Sequence, residues 1–88
     1  MNFDEVLAAS DALEGLINEA LAAVDAVGES QADRDAAAMA LHLQLARLYL
    51  IEYCVHLKRG ASDDVALAAT ARGELELTAI DDYRRQLH

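Results

Sequence analysis

The chain has no proline, no tryptophan, 1 phenylalanine and 1 cysteine among 88 residues. Each shortage excludes something. Proline removes a backbone donor and clashes with the preceding turn, so without it no helix interior is forbidden. Aromatics make up only 5% of the residues, and β-branched residues are few, so strand formers are scarce. The lone Cys54 rules out an intramolecular disulfide and suits a reducing compartment, so a cytoplasmic location is expected. Cations are short too. There are 7 Lys and Arg against 16 Asp and Glu, a net charge of −9. That balance weighs against direct binding to nucleic acid or to an anionic membrane, both of which need cationic contacts. The most apolar stretch, 39–57, contains His42, Gln44, Arg47, Glu52 and His56, so a membrane span is not expected. The first residues show no basic segment followed by an apolar one, so no secretory leader is expected.

What is present is helix-forming. Alanine (19) and leucine (14) together exceed a third of the chain, and both rank at the top of the helix propensities. The fold class expected is all-α: a single domain over 1–88, built as an antiparallel three-helix bundle. The helices are expected near 4–27, 31–58 and 63–87. Gly28 and Gly60 mark the ends of the first two, and Ser30 and Ser62 mark the starts of the next. The third has a weak point near Gly73–Thr78, where a poor helix former precedes a Thr-x-x-Asp pattern resembling a capping box.

The first helix has one apolar stripe, Phe3, Val6, Leu7, Leu13, Leu16, Ile17, Ala20, Leu21, Val24 and Val27. The second has two. Leu41, Leu45, Leu48 and Val55 form one, and Leu43, Ala46, Leu50, Tyr53 and Leu57 lie nearly opposite. A helix with two apolar sides meets two sets of neighbours. An alanine-rich core also buries little area per residue. Both features predict association as a homodimer. From one sequence, either stripe of the second helix could be the internal one.

Three surfaces are candidates for function. Charge is segregated: residues 1–30 carry seven acids and no Lys or Arg. On the first helix Asp4, Asp11, Asn18, Asp25 and Glu29 fall on one line, about 37 Å long at helical rise. Its plain reading is a solvated face, and its sharper reading is an anionic ridge for a basic protein partner. A possible interface comprises His42, Leu43, Tyr49, Leu50 and Tyr53 on the second helix. His42, Glu52 and His56 on that helix could supply metal ligands, with Glu52 and His56 one turn apart. That spacing is one residue longer than the Glu-x-x-His pairs of di-iron bundles, and the inward glutamates of such sites do not recur. Cys54 has no base beside it in sequence, and there is no Gly-rich loop, so no catalytic residue and no cofactor are expected. The expected function is that of a small acidic, non-catalytic protein–protein interaction module: an adaptor, small chaperone or inhibitor. The alternative is a charge-mimicking inhibitor or antitoxin-type protein, and a small metal-binding bundle is a third.

Overall fold

The computed structural model describes residues 1–26 and 30–86. Three helices hold nearly all of them: α1 (Phe3–Ala23), α2 (Gln31–Lys58) and α3 (Asp63–Gln86). No strand occurs among the described residues, and no helix there is long and apolar enough to cross a membrane.

The helix ends follow local chemistry. Asn2 is extended, and its side chain accepts the Glu5 N–H at 2.8 Å, with Asp4 and Glu5 at the positive end of α1. Regular winding stops at Ala23, earlier than expected. A 3-10 turn, Val24–Ala26, follows, and the Val24 N–H donates to the Leu21 carbonyl. The last turn of α1 has no basic residue, and Asp25 stands near its negative end, so continuation is disfavoured and the tighter winding takes over. Val27, Gly28 and Glu29, where the helix end and its glycine stop were expected, lie outside the described residues.

Ser30 starts α2. Its hydroxyl accepts the Asp33 N–H at 3.2 Å and donates to the Asp33 carboxylate at 2.9 Å. At the other end Gly60 has φ 71°, the Gly60 N–H donates to the Leu57 carbonyl and the Ala61 N–H donates to the His56 carbonyl. Those paired bonds around a left-handed residue form a Schellman motif, and glycine adopts that φ without a Cβ penalty. The Ser62 carbonyl accepts the first N–H groups of α3, from Val65 and Ala66. α3 then runs unbroken through Gly73 and Thr78. The Thr78 hydroxyl donates to the Glu74 carbonyl at 3.0 Å, one turn back along the same helix, so it does not start a new one.

Both neighbouring pairs are antiparallel. Asp4 meets Arg59 and Ser10 meets Glu52 between α1 and α2; Glu52 meets Arg72 and His42 meets Glu76 and Tyr83 between α2 and α3. The three helices pack side by side, each neighbour against α2. No Cα of α1 lies within 8 Å of one in α3 among the described residues, so α2 is the centre and the others flank it. The molecule measures 45 × 24 × 14 Å, little more than one helix thick. Its radius of gyration is 14.7 Å, where a compact chain of this length has about 12 Å.

The core lies along one side of α2. Leu45, Leu48, Tyr49 and Val55 are buried, with Ala38 beside them and Ala66 and Ala69 of α3 opposite. The Leu45 stripe is therefore the internal face of α2, and Leu43, Leu50 and Leu57 point outward. The α1 stripe does not become core. Ser10 is the only buried residue of α1; Phe3, Leu13, Leu16 and Ala20 are exposed, and Val6, Leu7, Ile17 and Leu21 are half-buried. A helix that packs on one neighbour alone covers only a narrow strip, and here that strip runs through Ser10 and Glu14. On α3, Leu77 is exposed. Leu87 is outside the described residues.

Candidate functional site

Two features stand out: a polar node inside the layer and an apolar trough on its outer side. The node centres on Glu52, a buried carboxylate in the C-terminal half of α2. A buried carboxylate needs hydrogen-bond partners and countercharge. The Arg72 Nη2 of α3 donates to its Oε2 at 2.8 Å, and the Ser10 hydroxyl of α1 donates to its Oε1 at 3.3 Å. The same Arg72 guanidinium lies 5.2 Å from the ring centre of Tyr49, a cation–π contact. The Tyr49 hydroxyl donates to Glu14 at 2.9 Å. Burial, then the hydrogen bond and charge of Glu14, push the Tyr49 phenol up to about 12, with Glu76 adding and Arg72 opposing. All three helices are thus joined through one network.

Asp11, Glu14 and Glu52 bring carboxylate oxygens within 4.8 Å of one another. Ser10, Tyr49 and Arg72 meet two of these three carboxylates, so ordinary protein groups account for Glu14 and Glu52. The ligand set expected from sequence is not assembled. His42 and Glu52 lie ten residues apart, about 15 Å along α2. His42 Nδ1 is engaged with Glu76, its ring 5.9 Å from that of Tyr83, while Glu52 is held by Arg72. His56 is half-buried.

The trough lies between α2 and α3, on the side away from α1. Ala66, Ala69 and Gly73 bring α3 close to α2, and a Cβ built on Gly73 would stand 3.8 Å from the Tyr49 Cβ. That close approach leaves a groove of about 530 Å³ above it. Its floor is Ala46, Tyr53, Ala69 and Gly73, and its walls are Leu50 of α2 with Leu67 and Leu77 of α3. Arg47 stands on the α2 rim and Glu74 on the α3 rim. A second depression of about 490 Å³ shares Leu77 and continues past Leu43, Met39 and Ile80. Leu50, Leu67 and Leu77 are each at least half exposed, at 61, 59 and 51%.

Of the interface residues expected from sequence, Leu43 and Leu50 face outward and Tyr53 is half-buried on the trough floor. His42 is half-buried against Glu76 of α3, and Tyr49 is buried, its hydroxyl held by Glu14 of α1, while also lining the trough. The acidic line is largely where it was expected. Asp4, Asp11, Asn18 and Asp25 are all exposed, although Asp25 sits on the 3-10 turn and Glu29 lies outside the described residues. Asp4 is bridged at 2.9 Å by Arg59. Sequence reasoning missed Ser10, Glu14, Arg72 and Glu76. One signal was available: Arg72 is the sole cation in the first twenty residues of α3, facing two helices that supply carboxylates. Comparison with known protein families, characterised proteins and solved structures finds no match for this chain.

Proposed function

We propose that this chain is a small acidic, non-catalytic protein–protein interaction module acting through its helical surfaces. The observation that carries this reading is the α2–α3 trough. Leu50, Leu67 and Leu77 line it in a layer only 14 Å thick. Domains bury such stripes between two layers of secondary structure, and one layer leaves them exposed. Helices laid into apolar grooves are a common mode of recognition. The polar node serves a different end: it holds the three helices in register so that the trough keeps its shape. The lone exposed Cys54 suits a reducing cytoplasm.

The test is affinity capture from native cells with the wild type and with Leu50→Glu, read by mass spectrometry. The variant places a charge on the trough wall, at a side chain 61% exposed, so the fold is spared. Loss of one specific protein from the variant, with circular dichroism unchanged, agrees with the module. Identical retention by both chains refutes it.

A second reading is favoured by a separate observation, the exposed acidic line Asp4, Asp11, Asn18 and Asp25. It makes α1 an anionic ridge that inhibits a basic protein by charge mimicry. Binding of that kind is screened by salt. Asp11→Lys with Asp25→Lys then abolishes capture while Leu50→Glu leaves it intact.

A further inference from the structure

We propose that the α2–α3 trough is filled by the same trough of a second copy. The product is a two-fold dimer whose centre is a four-helix bundle of α2 and α3 from each protomer. This deepens the interaction-module reading, on which it rests, by naming the occupant.

Three observations lead there. The first is periodicity on the outward side of α2. Leu43, Leu50 and Leu57 recur every seventh residue and are exposed at 39, 61 and 50%. Ala40, Arg47 and Cys54 interleave with them at alternating spacings of three and four. That is the pattern of a helix–helix seam, and it points away from the core of its own chain.

The second is the charge on the rims. Arg47 and Glu74 line opposite edges of the trough. In the antiparallel register set by Gly73 against Tyr49 and Arg72 against Glu52, they stand at nearly the same height. Neither side chain has a hydrogen-bond or ion-pair partner among the described residues. A two-fold axis running along the trough lays each α2 antiparallel on the partner's α3. That operation carries Arg47 of one copy over Glu74 of the other, and the reverse, so one contact makes both pairs. A two-fold axis across the helices would instead lay α2 on α2 and bring Arg47 towards its own copy. A foreign helix of either charge would be repelled at one rim. The trough is complementary to itself.

The third is area. The 24 residues of α3 make a face about 36 Å long, and two packed helices are about 19 Å wide. The face is on the order of 700 Å² in projection, close to the roughly 800 Å² per partner of a stable interface. Net charge does not oppose the contact. Five of the acids, Asp4, Glu5, Asp11, Glu14 and Glu19, sit on α1, on the far side of α2 from the trough.

The experiment measures mass by light scattering during sedimentation or chromatography, over micromolar concentrations. Wild type, Arg47→Glu, Glu74→Arg and an equimolar mixture of the two variants are compared. Both residues are exposed, and circular dichroism verifies each fold. The wild type is expected at twice the chain mass. Each variant alone sets two like charges against each other, and its dimer weakens by at least about tenfold. The mixture regains the dimer, because each variant then supplies what the other lacks. A wild type of one chain mass, or a mixture that stays as weak as its components, overturns the proposal. If the wild type is monomeric yet Leu50→Glu still loses a captured protein, the trough is an interaction surface with a foreign occupant. If capture is also unchanged, both readings fail together.

Discussion

Glu52 loses its hydration on folding and recovers it from two side chains on two other helices, Arg72 and Ser10. Removing Arg72 leaves a buried carboxylate with a single hydroxyl. Breaking a fully buried pair costs about 3–5 kcal/mol, but Arg72 is 49% exposed and water screens part of the loss. Arg72→Ala is therefore expected to lower unfolding stability by about 1–3 kcal/mol in urea titrations, while Arg85→Ala stays within about 0.5 kcal/mol. Tyr49 gives a pH signature. Its phenol is pushed up to about 12 from 10.0, so the folded state holds the proton longer than the unfolded state does. The associated stability is complete below about pH 10 and drains away as pH rises towards 12, amounting to roughly 2–3 kcal/mol. Ultraviolet titration should show a late ionisation step near pH 12, and Tyr49→Phe should remove it. In the sequence, Glu52 stands out as a candidate metal ligand and Tyr49 as a candidate interface residue. Their partners do not, because a helical wheel shows which residues share a face of one helix and not what another helix brings to it.

At the scale of helices, starts and stops were legible because they are local. Asn2, Ser30 and Gly60 act through bonds to residues at most a few positions away. The α1 stripe was legible as a pattern yet misleading as a core, because periodicity does not say how many neighbours a helix will have. Two glycines test the element scale with opposite signs. Gly73 lies inside α3, and its added Cβ meets only the Tyr49 Cβ at 3.8 Å, an ordinary contact. Gly73→Ala should raise stability by about 0.5–1 kcal/mol, the usual helix-interior gain over glycine. Gly60 holds φ +71° with open space around it, so the cost of a side chain there is backbone strain alone. Gly60→Ala should lower stability by about 1 kcal/mol. Thermal melts of both variants decide the matter, and a stabilising Gly60→Ala would contradict the observed turn.

Across the whole molecule the three helices are not held equally. α2 carries seven of the buried residues and contacts both neighbours, whereas α1 contributes Ser10 alone and has no backbone approach to α3. Local opening is cheapest where few apolar contacts must be broken. α1 should therefore detach before the α2–α3 hairpin unfolds. The net charge adds to this, since the acids of α1 repel one another, while Arg59, just past α2, bridges Asp4. Native-state hydrogen exchange should rank the amides of α1 well below those at the centre of α2, around Leu45–Glu52. Added salt should narrow the gap by screening repulsion among the acids. Equal protection across all three helices would mean that α1 is secured by contacts beyond the Ser10 strip. Such detachment has a functional consequence under either reading. Asp4, Asp11 and Asn18 would leave α2 together with α1, while the trough, lined wholly from α2 and α3, keeps the Arg72–Glu52 tie and loses the Glu14–Tyr49 one.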